Sequence, residues 1–264
     1  MLNFNYELLD NKQDKTIMLL HGFLSSKESM RRIAEDLSSV RNVILADLPG
    51  FGGTLSTPHD YRMEDVTGGL VNIADREGIN TFDVLGYSMG GRVSLASAAH
   101  FPERIDKCIL ESASPGIADE EKRAERLRID RERSSFIISD YNEFLQFWQD
   151  MPLFLSQRNA ARSVLKAQHE ERLQQTPAEA ADSLLKYGTG VQPSYWDNLS
   201  GLESSFYLLA GSEDKKFVAT AETMSERLKS AKLNIVEHCG HNIHLENYKT
   251  YIRLVREYLE EDNS

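Results

Sequence analysis

A serine between two closely spaced glycines is the strongest chemical signal in the sequence. Ser88 lies in the segment GYSMG at 86–90, directly after the apolar run Phe82–Leu85. This G-x-S-x-G pattern at a strand-to-helix turn is typical of a nucleophile elbow, because its glycines allow a tight, strained turn that exposes the hydroxyl. A helix that begins at Met89 favours negative charge developing beside the serine. The segment therefore predicts a nucleophilic serine.

An activated serine needs a base, and the base needs an acid that orients it. In the chain order Ser…Asp…His, Asp214 follows a predicted strand at Ser205–Ala210. His241 follows a second predicted strand at Leu233–Glu237. Both side chains are then expected at the carboxyl edge of the sheet, beside the serine. The pattern predicts Ser88, Asp214 and His241 as the catalytic residues.

Other side chains compete for these two roles. Glu213 is the rival acid, because it lies on the same loop as Asp214. His238 and His244 are the rival bases. His241 is favoured over them because Gly240 before it suits a turn that presents the imidazole ring.

A second turn is expected to supply the oxyanion hole. The predicted strand Thr16–Leu20 runs into an H-G-F turn, where the backbone N–H of Phe23 is the expected second donor and that of Met89 the first. His21 precedes the nucleophile in the chain, so we interpret it as structural. Asp47 opens the sharp loop DLPGFG, and we interpret it as turn-stabilising rather than catalytic.

The composition limits the possible classes of protein. The 264 residues are 41% hydrophobic and 27% charged, which is typical of an ordinary globular chain. A net charge of −11 argues against bulk binding to nucleic acid or an anionic membrane. The two cysteines, Cys108 and Cys239, are expected to be buried thiols rather than disulfide or zinc ligands. Without an apolar segment of signal or membrane-span length, we expect a cytoplasmic protein with no membrane association; the oligomeric state stays open.

The elements that must position these residues follow an α/β rhythm. Short apolar runs alternate with longer amphipathic ones, which predicts helices around a mostly parallel sheet. The predicted strands are Asn3–Leu8, Thr16–Leu20, Asn42–Asp47, Phe82–Gly86, Ile105–Glu111, Ser205–Ala210 and Leu233–Glu237. The predicted helices between them are Glu28–Ser38, Met63–Glu77, Met89–His100, Ala219–Lys229 and Glu246–Glu260.

The rhythm breaks between residues 115 and 202. This stretch shows only helical periodicity, at Glu120–Arg133, Asp140–Gln149, Ser156–Arg172 and Pro177–Tyr187. We interpret it as a helical cap over the carboxyl edge of the sheet, where open α/β sheets bind ligands. The expected organisation is a core at 1–114 and 203–264, with the cap at 115–202 inserted in it.

Five segments together resemble the α/β-hydrolase superfamily. They are HGF, DLPGFG, GYSMGG, AGSEDKKF and GHNIHLEN, and the likeness spans roughly residues 16–114 and 203–260. The common form of that fold has eight strands and opens with a hairpin before the H-G strand. Only one strand is predicted there, so the resemblance implies a sheet of about seven strands with an inserted helical cap.

Further motifs resemble one branch of that superfamily, the 2-succinyl-6-hydroxy-2,4-cyclohexadiene-1-carboxylate synthases of the menaquinone pathway. These motifs are Tyr87 and Arg92 beside the serine, then SPGI, EEKRAERLRID, FWQDMPLF, ERLQQTP, GTGVQPSYWDNL and EDKKF. The resemblance implies a lyase that eliminates pyruvate from 2-succinyl-5-enolpyruvyl-6-hydroxy-3-cyclohexene-1-carboxylate, a small anionic substrate. It implies neither a metal nor an organic cofactor.

The same resemblance implies which residues bind the substrate. They are Arg92, Arg126 and Arg172 for its carboxylates, with Tyr87 and Trp148 as pocket walls. Guanidinium groups bind carboxylates bidentately, and a chain of net charge −11 must build its positive pocket locally. Arg126 could instead belong to a solvated helix face of i,i+4 ion pairs, and Trp148 could be a core aromatic.

Two other functions are compatible with the same residues. A serine hydrolase acting on esters, or on carbon–carbon bonds of ring-fission products, would use the same three side chains. A non-catalytic ligand-binding protein of the same fold would have little need for an intact serine, base and acid.

Overall fold

A twisted sheet lies at the centre of the structure. The computed structural model describes residues 2–57 and 60–261, and in these residues the sheet has seven strands. They are β1 (Tyr6–Leu9), β2 (Thr16–Leu20), β3 (Asn42–Ala46), β4 (Phe82–Tyr87), β5 (Ile105–Glu111), β6 (Ser205–Gly211) and β7 (Ala231–Val236). Their spatial order is β1-β3-β2-β4-β5-β6-β7.

The sheet is parallel apart from its first strand. β1 pairs with β3 in the antiparallel direction, and every other neighbouring pair is parallel. Alternate residues of β2 enter two different apolar cores, with Met18 and Leu20 in one and Ile17 and Leu19 in the other. Burial on both faces is the environment that parallel strands require. The predicted α/β class with a mostly parallel seven-stranded sheet is confirmed.

Helices cover both faces of the sheet. They are α1 (Arg31–Leu37), α2 (Met63–Arg76), α3 (Met89–His100), α4 (Glu120–Ser139), α5 (Tyr141–Gln149), α6 (Arg162–Leu173), α7 (Pro177–Tyr187), α8 (Lys215–Arg227), α9 (Ile243–Glu246) and α10 (Tyr248–Glu260). Short 3-10 helices lie at Lys27–Met30, Pro152–Asn159 and Leu199–Gly201.

The segment between β5 and β6 contains helices and loops but no strand. It holds α4, α5, α6 and α7 with two of the 3-10 helices, and residues 115–202 contribute no strand. One predicted helix was wrong. Ser156–Arg172 is not continuous, because Ala160 (ψ 160°) and Ala161 (ψ 137°) are extended and separate a 3-10 helix from α6. The division into core and cap remains a prediction.

Candidate active site

Ser88 sits on a strained turn between β4 and α3. Its φ of 51° and ψ of −102° place a non-glycine residue at positive φ, as expected of a nucleophile elbow. A Cβ on Gly86 would lie 2.3 Å from the carbonyl carbon of Gly90, and one on Gly90 would lie 2.1 Å from the carbonyl oxygen of Leu20. The two glycines are therefore needed because the chain passes too close for any side chain. The Ser88 N–H donates to the carbonyl oxygen of Glu111 at 2.8 Å, which ties the turn to β5.

The structure brings Ser88, His241 and Asp214 into one hydrogen-bonded chain. His241 Nε2 lies 2.9 Å from Ser88 Oγ, and His241 Nδ1 lies 2.7 Å from Asp214 Oδ2. The imidazole is 1% exposed and the Asp214 carboxylate 5% exposed, so water scarcely competes for either contact. A carboxylate only accepts hydrogen bonds, so Asp214 places a proton on Nδ1 and leaves Nε2 to accept from the serine. This is the arrangement in which imidazole activates a serine hydroxyl.

Hydrogen bonds to backbone N–H groups and ring packing hold Asp214 and His241 in place. Asp214 is also the N-cap of α8, where its Oδ1 accepts the N–H of Phe217 at 3.3 Å. The loop before His241 is tied down by Glu246, whose Oε2 accepts the Gly240 N–H at 2.8 Å. The ring of His241 packs against that of Phe217, with 4.6 Å between centroids. The orientation of the imidazole is thus set by packing as well as by Asp214.

The alternative acid and bases do not take part in the hydrogen-bonded chain of Ser88, His241 and Asp214. Glu213 is exposed, and its backbone N–H donates to the carbonyl of Cys239. His238 is exposed on the turn after β7, at a φ of 58°. His244 does reach the cavity beside Ser88, but its Nδ1 is bound to Glu111 Oε2 at 2.7 Å.

The H-G-F turn approaches the serine from β2. Phe23 lines the same cavity as Ser88, and Met89 is the first residue of α3. The structure gives neither backbone N–H a hydrogen-bond partner among the described residues. His21 explains how the turn is held, because its Nε2 accepts the Leu48 N–H at 2.9 Å while its Nδ1 lies 2.8 Å from the carbonyl of Gly22. Burial lowers the pKa of His21, which suits a neutral ring with one donor and one acceptor nitrogen.

Asp47 organises the neighbouring loop rather than the serine. Its Oδ1 accepts the Lys27 N–H at 2.7 Å, and its Oδ2 accepts the Gly53 N–H at 2.9 Å and the Asn5 side chain at 2.6 Å. The carboxylate is 1% exposed. These contacts agree with the turn-stabilising interpretation of Asp47.

Ser88 opens into a cavity of about 630 Å³ between the sheet edge and the helical segment. Among the predicted substrate-binding residues, Tyr87, Trp148 and Arg172 line it. The Tyr87 ring lies between two imidazoles, 5.6 Å from His241 and 5.0 Å from His244. Trp148 stacks on the ring of Phe144 and contacts that of Phe23. The cavity is therefore aromatic on the side that holds the serine.

Arg172 is the buried cation of this cavity. It is 7% exposed, and no Asp or Glu among the described residues forms an ion pair with its guanidinium. Burial lowers the pKa of Arg172, because the charged form loses solvation there. A buried cation without a carboxylate partner is costly, and an anionic ligand in the cavity would remove that cost.

Arg92 and Arg126 do not line this cavity. Arg126 Nε donates to the fully buried Asp130 at 2.8 Å, one turn along α4. Arg92 donates to the carbonyl of Tyr187 at 3.1 Å and to the Gln192 side chain. Burial, with a smaller contribution from Arg126, lowers the pKa of Arg92 to about 10. The substrate-binding role of these two arginines remains a prediction.

Sequence reasoning missed the role of Glu111 beside His244. The sequence predicts His244 only as an alternative base, whereas the structure pairs it with Glu111 at the end of β5. Arg32 was missed as well; it lines the cavity and lies 3.6 Å over the ring of Tyr248. A glutamate directly after the apolar run 108–110 at the end of β5 was the one available signal for Glu111.

No cluster of three or more His, Cys, Asp or Glu suited to a metal ion occurs in the described ranges. Cys108 and Cys239 are free and buried, as expected. Burial raises the pKa of Cys239 to about 11. Of the helices in the described chain, none is long and apolar enough to span a membrane.

The fold and the serine–histidine–aspartate chain define a protein of the α/β-hydrolase class. A family model described as alpha/beta hydrolase fold matches residues 15–248. A protein from Bacillus subtilis (strain 168), provisionally named a 2-succinyl-6-hydroxy-2,4-cyclohexadiene-1-carboxylate synthase, is 33% identical over 93% of this chain and 90% of its own. The Escherichia coli O1:K1 / APEC protein of that name is 32% identical over 88% of each chain.

Two solved structures share the fold of this chain. The structure of MenH from S. aureus superposes with a TM-score of 0.94 at 31% identity and covers 100% of both chains. An esterase from Thermogutta terrifontis, at 21% identity and a TM-score of 0.77, shares the fold. The chain belongs to the α/β-hydrolase-fold family, and within that family it is similar to the 2-succinyl-6-hydroxy-2,4-cyclohexadiene-1-carboxylate synthases.

Proposed function

We propose that this protein is a 2-succinyl-6-hydroxy-2,4-cyclohexadiene-1-carboxylate synthase of menaquinone biosynthesis. It eliminates pyruvate from 2-succinyl-5-enolpyruvyl-6-hydroxy-3-cyclohexene-1-carboxylate. The observation that carries the proposal is the shared cavity, in which a histidine-activated serine faces a buried arginine without a carboxylate partner. Likeness to proteins of that name over most of the chain supports the same assignment.

Ser88 is the proton-abstracting group of this mechanism. His241 Nε2, 2.9 Å from the hydroxyl, takes the serine proton, and Asp214 stabilises the imidazolium that forms. The serine oxygen then removes the proton from the ring carbon next to the succinyl ketone. The electron pair of that C–H bond moves toward the ketone oxygen and forms an enolate.

The backbone N–H groups of Phe23 and Met89 hold the enolate oxygen. Both are proposed donors that point toward developing charge, and the N-terminus of α3 adds a favourable dipole. The enolate then collapses, a second ring double bond forms, the existing ring double bond shifts by one carbon, and the C–O bond to the enolpyruvyl group breaks. The proton held by His241 passes to the departing group, which leaves as pyruvate. No metal or organic cofactor takes part in the proposed steps.

The three substrate carboxylates are met by arginines. Arg172 is proposed to bind one of them inside the cavity, with Tyr87 and Trp148 as its walls. Arg92 and Arg126 do not line the cavity. Their proposed role in binding substrate carboxylates is supported by the resemblance alone. The segment 115–202 serves as the cap that carries Arg126, Trp148 and Arg172, and the proposed location is the cytoplasm.

The experiment that tests the function is direct. The purified protein is given the enolpyruvyl substrate, and pyruvate is measured continuously with lactate dehydrogenase. Sustained pyruvate release is expected. A protein that releases no pyruvate but gives a stoichiometric burst with an activated ester would instead be a serine hydrolase, because only a hydrolase needs an acyl-enzyme.

A further inference from the structure

A carboxylate of the helical segment 115–202 binds the loop that carries Phe23, the proposed oxyanion donor. We call residues 22–26 the oxyanion loop. Glu171 lies near the end of α6, and its Oε1 accepts the Ser26 N–H at 2.9 Å, Ser26 Oγ at 2.8 Å and Ser25 Oγ at 3.1 Å. Because three donors meet on one carboxylate oxygen, the position of the oxyanion loop is coupled to that of α6.

The oxyanion loop has a strained backbone that needs support. Leu24, the residue after Phe23, has a φ of 60° and is fully buried. A leucine at positive φ is unfavourable, and it persists only where surrounding contacts hold the chain. Glu171 holds the two serines that follow Leu24, and Asp47 then accepts the Lys27 N–H at 2.7 Å. The geometry of the loop at Phe23 therefore depends on α6 as well as on the core.

Glu171 is itself held in place at the end of α6. Tyr141 Oη, from α5, donates to the carbonyl oxygen of Arg172 at 2.7 Å. The Gln175 side chain donates to the carbonyl oxygen of Glu171 at 3.1 Å and accepts the Gly52 N–H at 3.0 Å. The end of this helix is therefore tied to α5 and to a core loop, so Glu171 offers the oxyanion loop a fixed acceptor.

We propose that Glu171 is a positioning residue that keeps the oxyanion loop in its reactive geometry. The inference rests on the proposed function, in which the Phe23 N–H holds the enolate oxygen. The next residue, Arg172, lines the cavity, so α6 reaches both the substrate and the oxyanion loop through neighbouring side chains. A hydrogen bond from the Phe23 N–H strengthens as the ketone oxygen gains charge. Displacing this donor therefore lowers kcat more than it weakens substrate binding.

Pyruvate release by Glu171→Ala tests the inference. We expect kcat to fall about 10- to 100-fold, because one oxyanion donor is displaced rather than removed. The Kd of the enolpyruvyl substrate, measured by calorimetry in a Ser88→Ala background, should stay unchanged. Glu171→Gln keeps an acceptor oxygen and should recover most of the rate. The matched control is Glu143→Ala, an exposed glutamate on α5, which should keep the wild-type kcat.

Ser25→Ala tests the same contact from the side of the oxyanion loop. It removes one of the three donors to Glu171 and should lower kcat about two- to tenfold, the usual effect of losing one hydrogen bond. In the Glu171→Ala background it should cause no further loss, because both changes act through one contact. Losses that multiply in the double variant would contradict the coupling. Melting curves show which variants are folded, and Ser25→Ala alone is sufficient if Glu171→Ala does not fold.

The outcomes separate the inference from the proposed function. A wild-type kcat in the folded variants overturns the role of Glu171, whereas pyruvate release by the wild type leaves the function intact. A raised Kd with a wild-type kcat also overturns it, because Glu171 would then act on substrate binding.

A wild type that releases no pyruvate is tested by the rate at which a fluorophosphonate labels Ser88. The serine oxygen bonds to phosphorus, fluoride leaves, and the developing charge on the phosphoryl oxygen needs the same backbone donors. Slower labelling of Glu171→Ala than of the wild type supports the inference although the reaction is overturned. Equal labelling, or a wild type that is not labelled at all, overturns both.

Discussion

Ser156 Oγ donates to Glu246 Oε1 across 3.1 Å and so joins the helical segment 115–202 to the loop that carries His241. Glu246 completes the link with its other oxygen, which accepts the Gly240 N–H at 2.8 Å. Gly240 lies against the same serine, since a Cβ there would fall 2.0 Å from Ser156 Oγ and 2.9 Å from Ser156 Cβ. The position of the proposed base therefore depends on how closely this loop and the helical segment approach.

Gly240→Ala is expected to push Ser156 away and displace the His241 loop. Overpacking of this kind costs about 1–3 kcal/mol of unfolding free energy, and turnover should fall with the loss of His241 geometry. Gly201→Ala is the control, because nothing lies within 4 Å of its added Cβ. The double variant Gly240→Ala/Ser156→Gly should regain stability, and a double variant as unstable as Gly240→Ala would contradict the contact.

The Glu246 carboxyl gives stability a pH dependence. Its pKa is raised by burial, an effect that hydrogen bonds from Gly240 and Ser156 partly offset. The folded protein then holds this proton to higher pH than the unfolded chain does. The stabilisation is full below the ordinary pKa of a glutamate and is lost as pH rises through the raised value. The Tm advantage of the wild type over Glu246→Gln should shrink from about pH 4 to about pH 7, and an advantage that grows would refute the sign.

Arg172→Ala tests the buried cation of the cavity. Loss of a charge-assisted contact to a substrate carboxylate should lower kcat/KM about 10- to 200-fold. Arg172→Lys should recover only part, because it keeps a point charge without the planar fork. Arg162→Ala, an exposed arginine at the start of the same helix, should leave kcat/KM unchanged. Equal rates for Arg172→Ala and Arg162→Ala would remove Arg172 from substrate binding.

Arg126→Ala should lower the stability of the protein and tests whether kcat/KM falls as well. Its guanidinium is 27% exposed and compensates Asp130, which is fully buried and whose nearest other cation, Arg133, lies at 3.9 Å. We expect a stability loss of about 1–3 kcal/mol, because the buried carboxylate would keep only the longer contact to Arg133 and the hydrogen bond from the Gly190 N–H. If Arg126 also meets a substrate carboxylate, kcat/KM should fall about 10- to 200-fold. A stability loss with wild-type kinetics would leave Arg126 a structural role alone.

Much of the fold was predictable because its signals are local. The four apolar residues Ile17–Leu20 of β2 indicate burial directly in the sequence, and the glycines around Ser88 indicate close backbone approach. The break at Ala160 was not predictable, since alanine is a good helix former and only tertiary packing extends the chain there. Helical periodicity alone therefore merged two elements into one.

The residues of the candidate site could be predicted where their order and spacing in the sequence identified them. Chain order and turn residues sufficed for Ser88, Asp214 and His241, whose side chains meet as expected. The partners of Arg92 and the pairing of Glu111 with His244 depend on contacts between residues about 100 or more positions apart. Such contacts arise from the way in which the chain folds, so no pattern among neighbouring residues in the sequence predicts them.

Pyruvate release by the wild type and by Ser88→Ala tests the central claim most directly. The wild type should convert the enolpyruvyl substrate, and Ser88→Ala should do so at least about 10³-fold more slowly, because the serine acts as a unit with His241 and Asp214. Its melting temperature should stay close to that of the wild type, since one hydroxyl at the cavity surface is removed. A folded Ser88→Ala variant that releases pyruvate at the wild-type rate would contradict the account.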